Sequence, residues 1–168
     1  YESDSIDLLN MLTGPSDTHL LGTDELGRDM FTRLAEGGRV SISVGLIATL
    51  FKLCIGVLLG CIAGLYGGIV ESVIMRIVDI IMCFPFFVIA LCIAAITGPS
   101  FHNTIFIIGI LGWPGVCRIV RSQVLSLKNV EYVDAARSLG LNQMEIIFRH
   151  ILPNASGPII VYTTLSVA

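Results

Sequence analysis

The sequence predicts an all-α fold, a polytopic transmembrane helical bundle, and three observations support this prediction. Of the 168 residues, 54% are hydrophobic and only 14% are charged, whereas soluble domains carry roughly 25% charged residues. The mean hydropathy is +0.85. The apolar residues also form long blocks instead of alternating with charges at the period of an amphipathic helix or strand. This composition argues against a water-soluble globular domain and favours a chain that lies in lipid.

Three apolar blocks approach the roughly 20 residues that a bilayer-crossing helix needs. They are residues 40–66, 77–97 and 105–120. Gly67-Gly68 and Gly98-Pro99-Ser100 separate the blocks and predict turns, while Pro114 predicts a bend in the third span. A fourth block begins near Ala155 and continues to the last residue. We therefore expect the sequence to be a fragment of a longer membrane protein.

The basic residues predict the orientation of the chain, because short cytoplasmic loops are enriched in lysine and arginine. Residues 118–150 contain five of the ten basic residues, whereas residues 1–38 contain eight of the thirteen acidic residues and two bases. We therefore predict an external N-terminal segment at 1–38 and a transmembrane domain at 39–168, with a cytoplasmic loop at 121–153. Three crossings separate the acidic and basic regions and place them on opposite sides. The connection at 67–76 is then cytoplasmic and that at 98–103 external.

Several side chains in or near the spans allow more than one interpretation. Lys52 lies inside the first block, where a charge is costly unless it faces protein or water. It could line a translocation route, or it could pack against a helix or extend to the membrane surface; both alternatives stay open. Arg76 and Asp79 have helical spacing and predict a local ion pair. His102 is predicted to be solvated in the external connection.

Small residues in the first span predict a contact between helices. Gly56, Gly60 and Gly64 repeat every four residues and so lie on one face, where another helix backbone can approach closely. The five cysteines fall in apolar blocks without the clustering of metal or redox sites, so we predict that they are small buried hydrophobic residues. They are Cys54, Cys61, Cys83, Cys92 and Cys117.

The predicted cytoplasmic loop reads as a helical hairpin. Alanines and early acidic residues favour a helix over residues 129–139, and Gly140 is a typical helix stop. Asn142 and Glu145 have the spacing of a helix cap and its partner. We therefore expect a second helix from Asn142 to about Ile151, ending before Pro153.

This loop resembles a signature of the permeases of ATP-driven importers, Glu-Ala-Ala-x-x-x-Gly followed further on by an Ile/Leu-Pro pair. Here Asp134-Ala135-Ala136 precedes Gly140 at that spacing, and Ile151-Leu152-Pro153 closes the pattern. Aspartate replaces the usual glutamate, which keeps the charge but shortens its reach.

Other stretches resemble the C-type permease subunit of dipeptide, oligopeptide and nickel importers. Residues 19–29 read His-Leu-Leu-Gly-Thr-Asp-Glu-Leu-Gly-Arg-Asp, where this subfamily typically has H-P-L-G-T-D-E-L-G-R-D. Leu20 departs from the proline. Further similar stretches are Arg76-Ile77-Val78-Asp79 with Pro85, Leu111-Gly112-Trp113-Pro114 and Arg149-His150-Ile151-Leu152-Pro153-Asn154.

The resemblance implies a multi-pass permease subunit of the bacterial inner membrane that works by alternating access. Its expected partners are ATPase subunits, a second related permease subunit, an extracytoplasmic substrate-binding protein and the lipid bilayer, with no nucleic acid. The first helix of the hairpin would act as a coupling helix in a groove of the ATPase, with Ala135 and Ala136 allowing close approach and Gly140 setting the turn. No cofactor is expected, since the ATPase subunits bind the ATP. The substrate stays open between a dipeptide, an oligopeptide, nickel or another small solute.

The sequence does not suggest an enzyme. It contains no G-x-x-x-x-G-K-[ST] phosphate loop, no G-x-S-x-G motif and no H-E-x-x-H motif, so no nucleotide-binding or catalytic pattern is recognisable. One alternative is an ion- or proton-coupled carrier that works without ATP and uses Lys52 and Asp79 as coupling groups, which would not predict the hairpin motif. Another is a purely structural membrane subunit.

Overall fold

The structure, a computed structural model, describes residues 5–98 and 100–165. In these residues the fold is all-α, as predicted, with an isolated antiparallel bridge between Thr23 and Asp29 and no strand. A short 3-10 helix spans Leu8–Asn10. The α-helices are α1 (Met30–Tyr66), α2 (Gly68–Met82), α3 (Phe86–Thr97), α4 (Phe101–Leu127), α5 (Glu131–Ser138), α6 (Gln143–Ile146) and α7 (Leu152–Leu165).

The chain divides into two compact units, Tyr1–Val44 and Gly45–Ala168. The division lies within α1, which begins at Met30, ten residues before the predicted apolar block at 40–66. In the first unit, residues 5–29, here called the N-terminal loop, precede the helix. The second unit contains α2 to α7 and the remainder of α1.

Among the described residues, α1 and α4 are long and apolar enough to cross a membrane, and α2 with α3 forms a third span if the bent pair is counted as one. The predicted span at 77–97 is not a single straight helix, because the chain bends by 79° between α2 and α3. Pro85 lacks the N–H that a helix needs and disfavours helical geometry in the residue before it. Residues 68–76 are helical rather than a connection, since the reversal after α1 is confined to Gly67 and Gly68, which have positive φ.

Two apolar clusters form the core of the second unit. In one, Cys61 of α1 and Val116, Val120 and Val124 of α4 pack with residues that follow α4. In the other, Val78 of α2 packs with Trp113 and Cys117 of α4. α4 therefore lies between α1 and α2 and contributes to both clusters. The prediction of buried cysteines is correct for Cys61 and Cys117 but wrong for Cys54, Cys83 and Cys92, whose side chains are exposed on this chain.

Candidate functional site

The candidate site is the hairpin, residues 129–153, which follows α4. Its first helix, α5, has Glu131 and Asp134 in the first turn and Arg137 in the last, a distribution that complements the helix dipole. Gly140 has a φ of +83° and donates its N–H to the Arg137 carbonyl at 2.9 Å, while the Leu141 N–H donates to the Ala136 carbonyl at 3.2 Å. These two bonds form a Schellman motif, whose left-handed position glycine occupies without strain.

The second half of the hairpin starts with the predicted capping box, which is confirmed. The Asn142 side chain accepts from the Glu145 N–H at 2.9 Å, and the Glu145 carboxylate accepts from the Asn142 N–H at 3.0 Å. The expected helix end before Pro153 is wrong. A π-helical turn at Ile147–Ile151 joins α6 directly to α7, so that Leu152 donates to the Ile147 carbonyl and Pro153 lies inside a continuous helical segment. Widening the turn lets the helix continue through a residue that has no N–H to donate.

One face of the hairpin is buried against α1 and α4. Its members, Val133, Ala136, Ile146, Ile147 and Ile151, belong to the same apolar cluster as Cys61, Val120 and Val124. Ala136 is only 5% exposed, so it packs within this chain and does not form part of an outer surface. Leu152 is half-buried against the cluster, and Pro153 is exposed. Burial of this face fixes the hairpin to the bundle.

The side of α5 next to the buried one is exposed and partly apolar. Tyr132 is 38% exposed and Leu139 is 81% exposed, and the exposed Ala135 lies between them. These three residues, here called the outer face, have the i, i+3, i+7 spacing of one helix side. Asp134 is also exposed and pairs with Arg137 at 3.0 Å. Sequence reasoning missed Tyr132 and Leu139, although their spacing with Ala135 places the three residues on one helix side.

The three predicted packing glycines of α1 are in close contact with α4. A Cβ on Gly56 would lie 2.5 Å from Val116 Cβ, one on Gly60 would lie 2.7 Å from Val120 Cβ, and one on Gly64 would lie 2.7 Å from Val124 Cβ. We call this contact the glycine seam. Because residue numbers increase together along both helices, α1 and α4 run in the same direction, which agrees with three successive crossings.

Lys52 is 5% exposed, and its aliphatic stem lies against α4, 3.1 Å from the position that a Cβ on Gly112 would take. Lys52 therefore packs against a neighbouring helix, as one of its alternatives predicted. Asp79 forms an ion pair with Arg118 of α4 at 2.7 Å. The prediction that Asp79 pairs with Arg76 is therefore wrong. Arg118 on α4 brings its guanidinium closer to the Asp79 carboxylate than Arg76 does on the same helix. His102 stacks edge-on against Phe101.

The N-terminal loop is held by polar side chains from the stretch 19–29. Asp24 accepts from the backbone N–H groups of Leu26 and Arg28 and from the Arg28 and Arg33 guanidinium groups. Partial burial raises the pKa of Asp24, but these donors together bring it far below its usual range. Asp29, 5% exposed, accepts from the Thr32 hydroxyl at 2.7 Å and the Thr32 N–H at 2.8 Å, and it contacts His19 at 3.0 Å.

Residues 56–168 match the model of the family described as the binding-protein-dependent transport system inner membrane component. The chain belongs to this family. The match begins at Gly56 and covers α4 and the whole hairpin. The glycine seam and the hairpin therefore both lie within the residues that match the family. The chain is thus a membrane protein built from apolar helices.

Among curated relatives, the chain is 47% identical over 156 residues to the dipeptide transport system permease protein DppC of Alkalihalophilus pseudofirmus, covering 93% of this chain and 51% of the relative. It is 41% identical over 167 residues to the oligopeptide transport system permease protein OppC of Bacillus subtilis, covering 99% and 55%. It is 40% identical over 154 residues to the glutathione transport system permease protein GsiD of Pectobacterium atrosepticum, covering 92% and 51%. The chain spans about half the length of these relatives.

Proposed function

We propose that this chain is part of a permease subunit of an ATP-driven importer of peptides, in which the hairpin couples the transmembrane helices to a separate ATPase. The observation that carries the proposal is the division of α5 into two faces, one buried in the bundle and one exposed. Membership of the family and the relatives named for dipeptide, oligopeptide and glutathione transport support the choice of peptides.

The outer face has the chemistry expected of a helix that docks into a groove. Tyr132, Ala135 and Leu139 present a narrow apolar stripe on an otherwise charged helix, and a stripe at this spacing is how a short helix is recognised by a partner surface. Aromatic side chains such as Tyr132 contribute strongly to binding at the centre of an interface. The buried face transfers any movement of α5 to α4 and α1 through tightly packed side chains, because packed interiors transmit displacement.

The remaining parts of the importer follow from this assignment. A second, related permease subunit would complete the translocation route, a binding protein outside would deliver the peptide, and ATP hydrolysis would belong to the partner chain. We place the hairpin on the cytoplasmic side of the bacterial inner membrane and the N-terminal loop outside, from the distribution of basic residues. An ion-coupled carrier, the alternative, would give no reason for the motif Asp134-Ala135-Ala136 with Gly140.

The test uses the complete importer reconstituted in proteoliposomes, with uptake and ATP hydrolysis measured on the same preparation. Ala135→Arg places a long charged side chain in the middle of the outer face, where we expect it to weaken ATPase association about tenfold or more. Gln143→Arg is the matched control, because Gln143 is an exposed residue of α6 that lies outside the outer face. ATPase association and uptake equal to wild type in the Ala135→Arg importer would remove the coupling role from this face.

A further inference from the structure

A cluster of polar contacts joins α1, α2 and α4 just before the hairpin. The Arg121 guanidinium donates to the Glu71 carboxylate through Nε at 2.6 Å and also through a terminal nitrogen. The Lys128 ammonium donates to the Gly64 carbonyl at 3.2 Å, in the last turn of α1. We call Glu71, Arg121 and Lys128 the clasp. The family assignment does not specify these contacts, and the mechanism proposed above has not used them.

The clasp fixes a part of the chain that would otherwise have few constraints. The reversal between α1 and α2 consists of Gly67 and Gly68, with φ values of +64° and +54°, and glycine restricts the backbone less than any other residue. The Glu71 carboxylate lies 3.8 Å from the position that a Cβ on Gly67 would take. The ion pair with Arg121 therefore holds the start of α2 on α4.

The clasp is also adjacent to the hairpin. α5 begins at Glu131, three positions after Lys128, and Val120 and Val124 of α4 belong to the same apolar cluster as Val133 and Ala136 of α5. A displacement of α5 therefore acts on the segment of α4 that contains Arg121. At its other end, α2 leads into the 79° bend before α3.

We propose that Glu71 and Arg121 are positioning residues for transport, which make α2 move together with the hairpin so that a displacement of α5 reaches the bend between α2 and α3. This inference rests on the proposed function, because it assumes that an ATPase moves the hairpin. The clasp joins α1, α2 and α4, so it passes a movement of α4 on to α2.

The two ion pairs between α2 and α4 differ in burial, which determines which one can serve this role. The Arg121 and Glu71 side chains are 29% and 21% exposed, whereas those of Arg118 and Asp79 are 49% and 56% exposed. Exposed pairs contribute little to holding two elements together. Partly buried pairs are screened much less by salt and hold their elements together more strongly. Glu71 with Arg121 is therefore the stronger candidate of the two pairs that join α2 to α4, and Asp79 with Arg118 supplies the control.

The test compares Glu71→Gln, the charge exchange Glu71→Arg with Arg121→Glu, and the control Asp79→Asn in the complete importer in proteoliposomes. We expect Glu71→Gln to lower peptide uptake about tenfold, the loss that corresponds to one charge-assisted hydrogen bond, with ATP hydrolysis and the amount of assembled complex close to wild type. The charge exchange should restore most of the uptake, since it returns opposite charges to the same two positions. Asp79→Asn should transport like wild type.

Three results would overturn the inference. They are wild-type uptake by Glu71→Gln, loss of assembled complex in that variant, and uptake in the charge exchange that stays as low as in Glu71→Gln. The first would show that the pair transmits nothing, the second that it serves folding alone, and the third that the opposite charges are not what matters. Each is distinguishable from failure of the proposed function, because uptake by the wild-type importer would still depend on ATP. Uptake that is independent of ATP in the wild type would overturn the proposed function and the clasp together.

Discussion

The N-terminal loop and the glycine seam are stabilised by different forces. In the loop, hydrogen bonds between side chains and the backbone determine the chain path, and Leu8, Leu9 and Leu12 are largely exposed. In the seam, glycines of α1 accept valine side chains of α4 at van der Waals contact, where any larger residue would collide. The first arrangement depends on which atoms can donate and accept, and the second depends on volume.

This difference determines how each region should respond to substitution. At exposed loop positions such as Leu9 a change of volume has open space to occupy, but removal of a buried hydroxyl leaves its partners without a hydrogen bond. In the seam, a change of polarity matters less than one additional carbon, because close-packed helices cannot separate without losing contact along their length. Three predictions separate these two kinds of response.

The largest effect is expected at the centre of the seam. Gly60→Leu would insert a side chain where a Cβ alone lies 2.7 Å from both the Cys117 carbonyl oxygen and Val120 Cβ. We expect a loss of stability of about 3 kcal/mol or more, because α1 and α4 must separate to accommodate it. The measurement is the yield of folded protein in membranes and its thermal unfolding midpoint in detergent.

The matched control is the same substitution elsewhere on the same helix. Gly37 of α1 has no atom within 4 Å of the position that its Cβ would take, so Gly37→Leu should leave yield and unfolding midpoint near wild type. Similar yields for Gly60→Leu and Gly37→Leu would mean that volume does not limit the seam. The proposed difference between the seam and the loop would then be wrong for the seam.

An intermediate effect is expected in the loop. The Thr23 hydroxyl accepts from the Thr13 N–H at 2.9 Å and donates to the Asn10 carbonyl at 2.5 Å, and Thr23 is only 7% exposed. Thr23→Val keeps the shape but removes both bonds, so local opening of the loop should become easier by about 2 kcal/mol. Hydrogen exchange at the Thr13 amide measures this change. Thr18→Val, at an exposed position, is the control, and equal protection of the Thr13 amide in both variants would contradict the prediction.

Local patterns in the sequence were sufficient for features that depend on neighbours in the chain. The spacing of Asn142 and Glu145 predicted the capping box because both partners lie within one helical turn. The all-α class followed from the length of the apolar blocks. Gly140, identified as a helix stop, has the positive φ that such a stop requires.

Features that depend on packing between helices could not be obtained in this way. Asp79 pairs with Arg118, 39 residues away, rather than with its helical neighbour Arg76, and only the position of α4 decides between the two. Ala135 and Ala136 are adjacent and chemically identical, yet one is exposed and the other buried, because the side of α5 that faces α4 depends on the turn at its end. The break at Pro85 had a local signal, but the length of the apolar block at 77–97 favoured a continuous span.

The smallest effect concerns acid and again separates the loop from the seam. Hydrogen bonds from the Thr32 hydroxyl and N–H, followed by the contact with His19, lower the pKa of Asp29 from 3.8 to about 2. Because the pKa in the folded loop lies below the ordinary value, ionised Asp29 contributes stability above pH 3.8, and this contribution is lost as the pH falls through about 2. We therefore expect hydrogen exchange in residues 5–29, corrected for intrinsic rates, to be constant between about pH 7 and pH 5 and to increase below about pH 4.

The glycine seam contains no titrating group and should keep its protection over the same range. Asp29→Asn removes the carboxylate, so its loop should exchange faster at neutral pH, and the contribution of position 29 to the acid response should disappear. A loop that opens with the same pH dependence in wild type and Asp29→Asn would show that this carboxylate does not hold it.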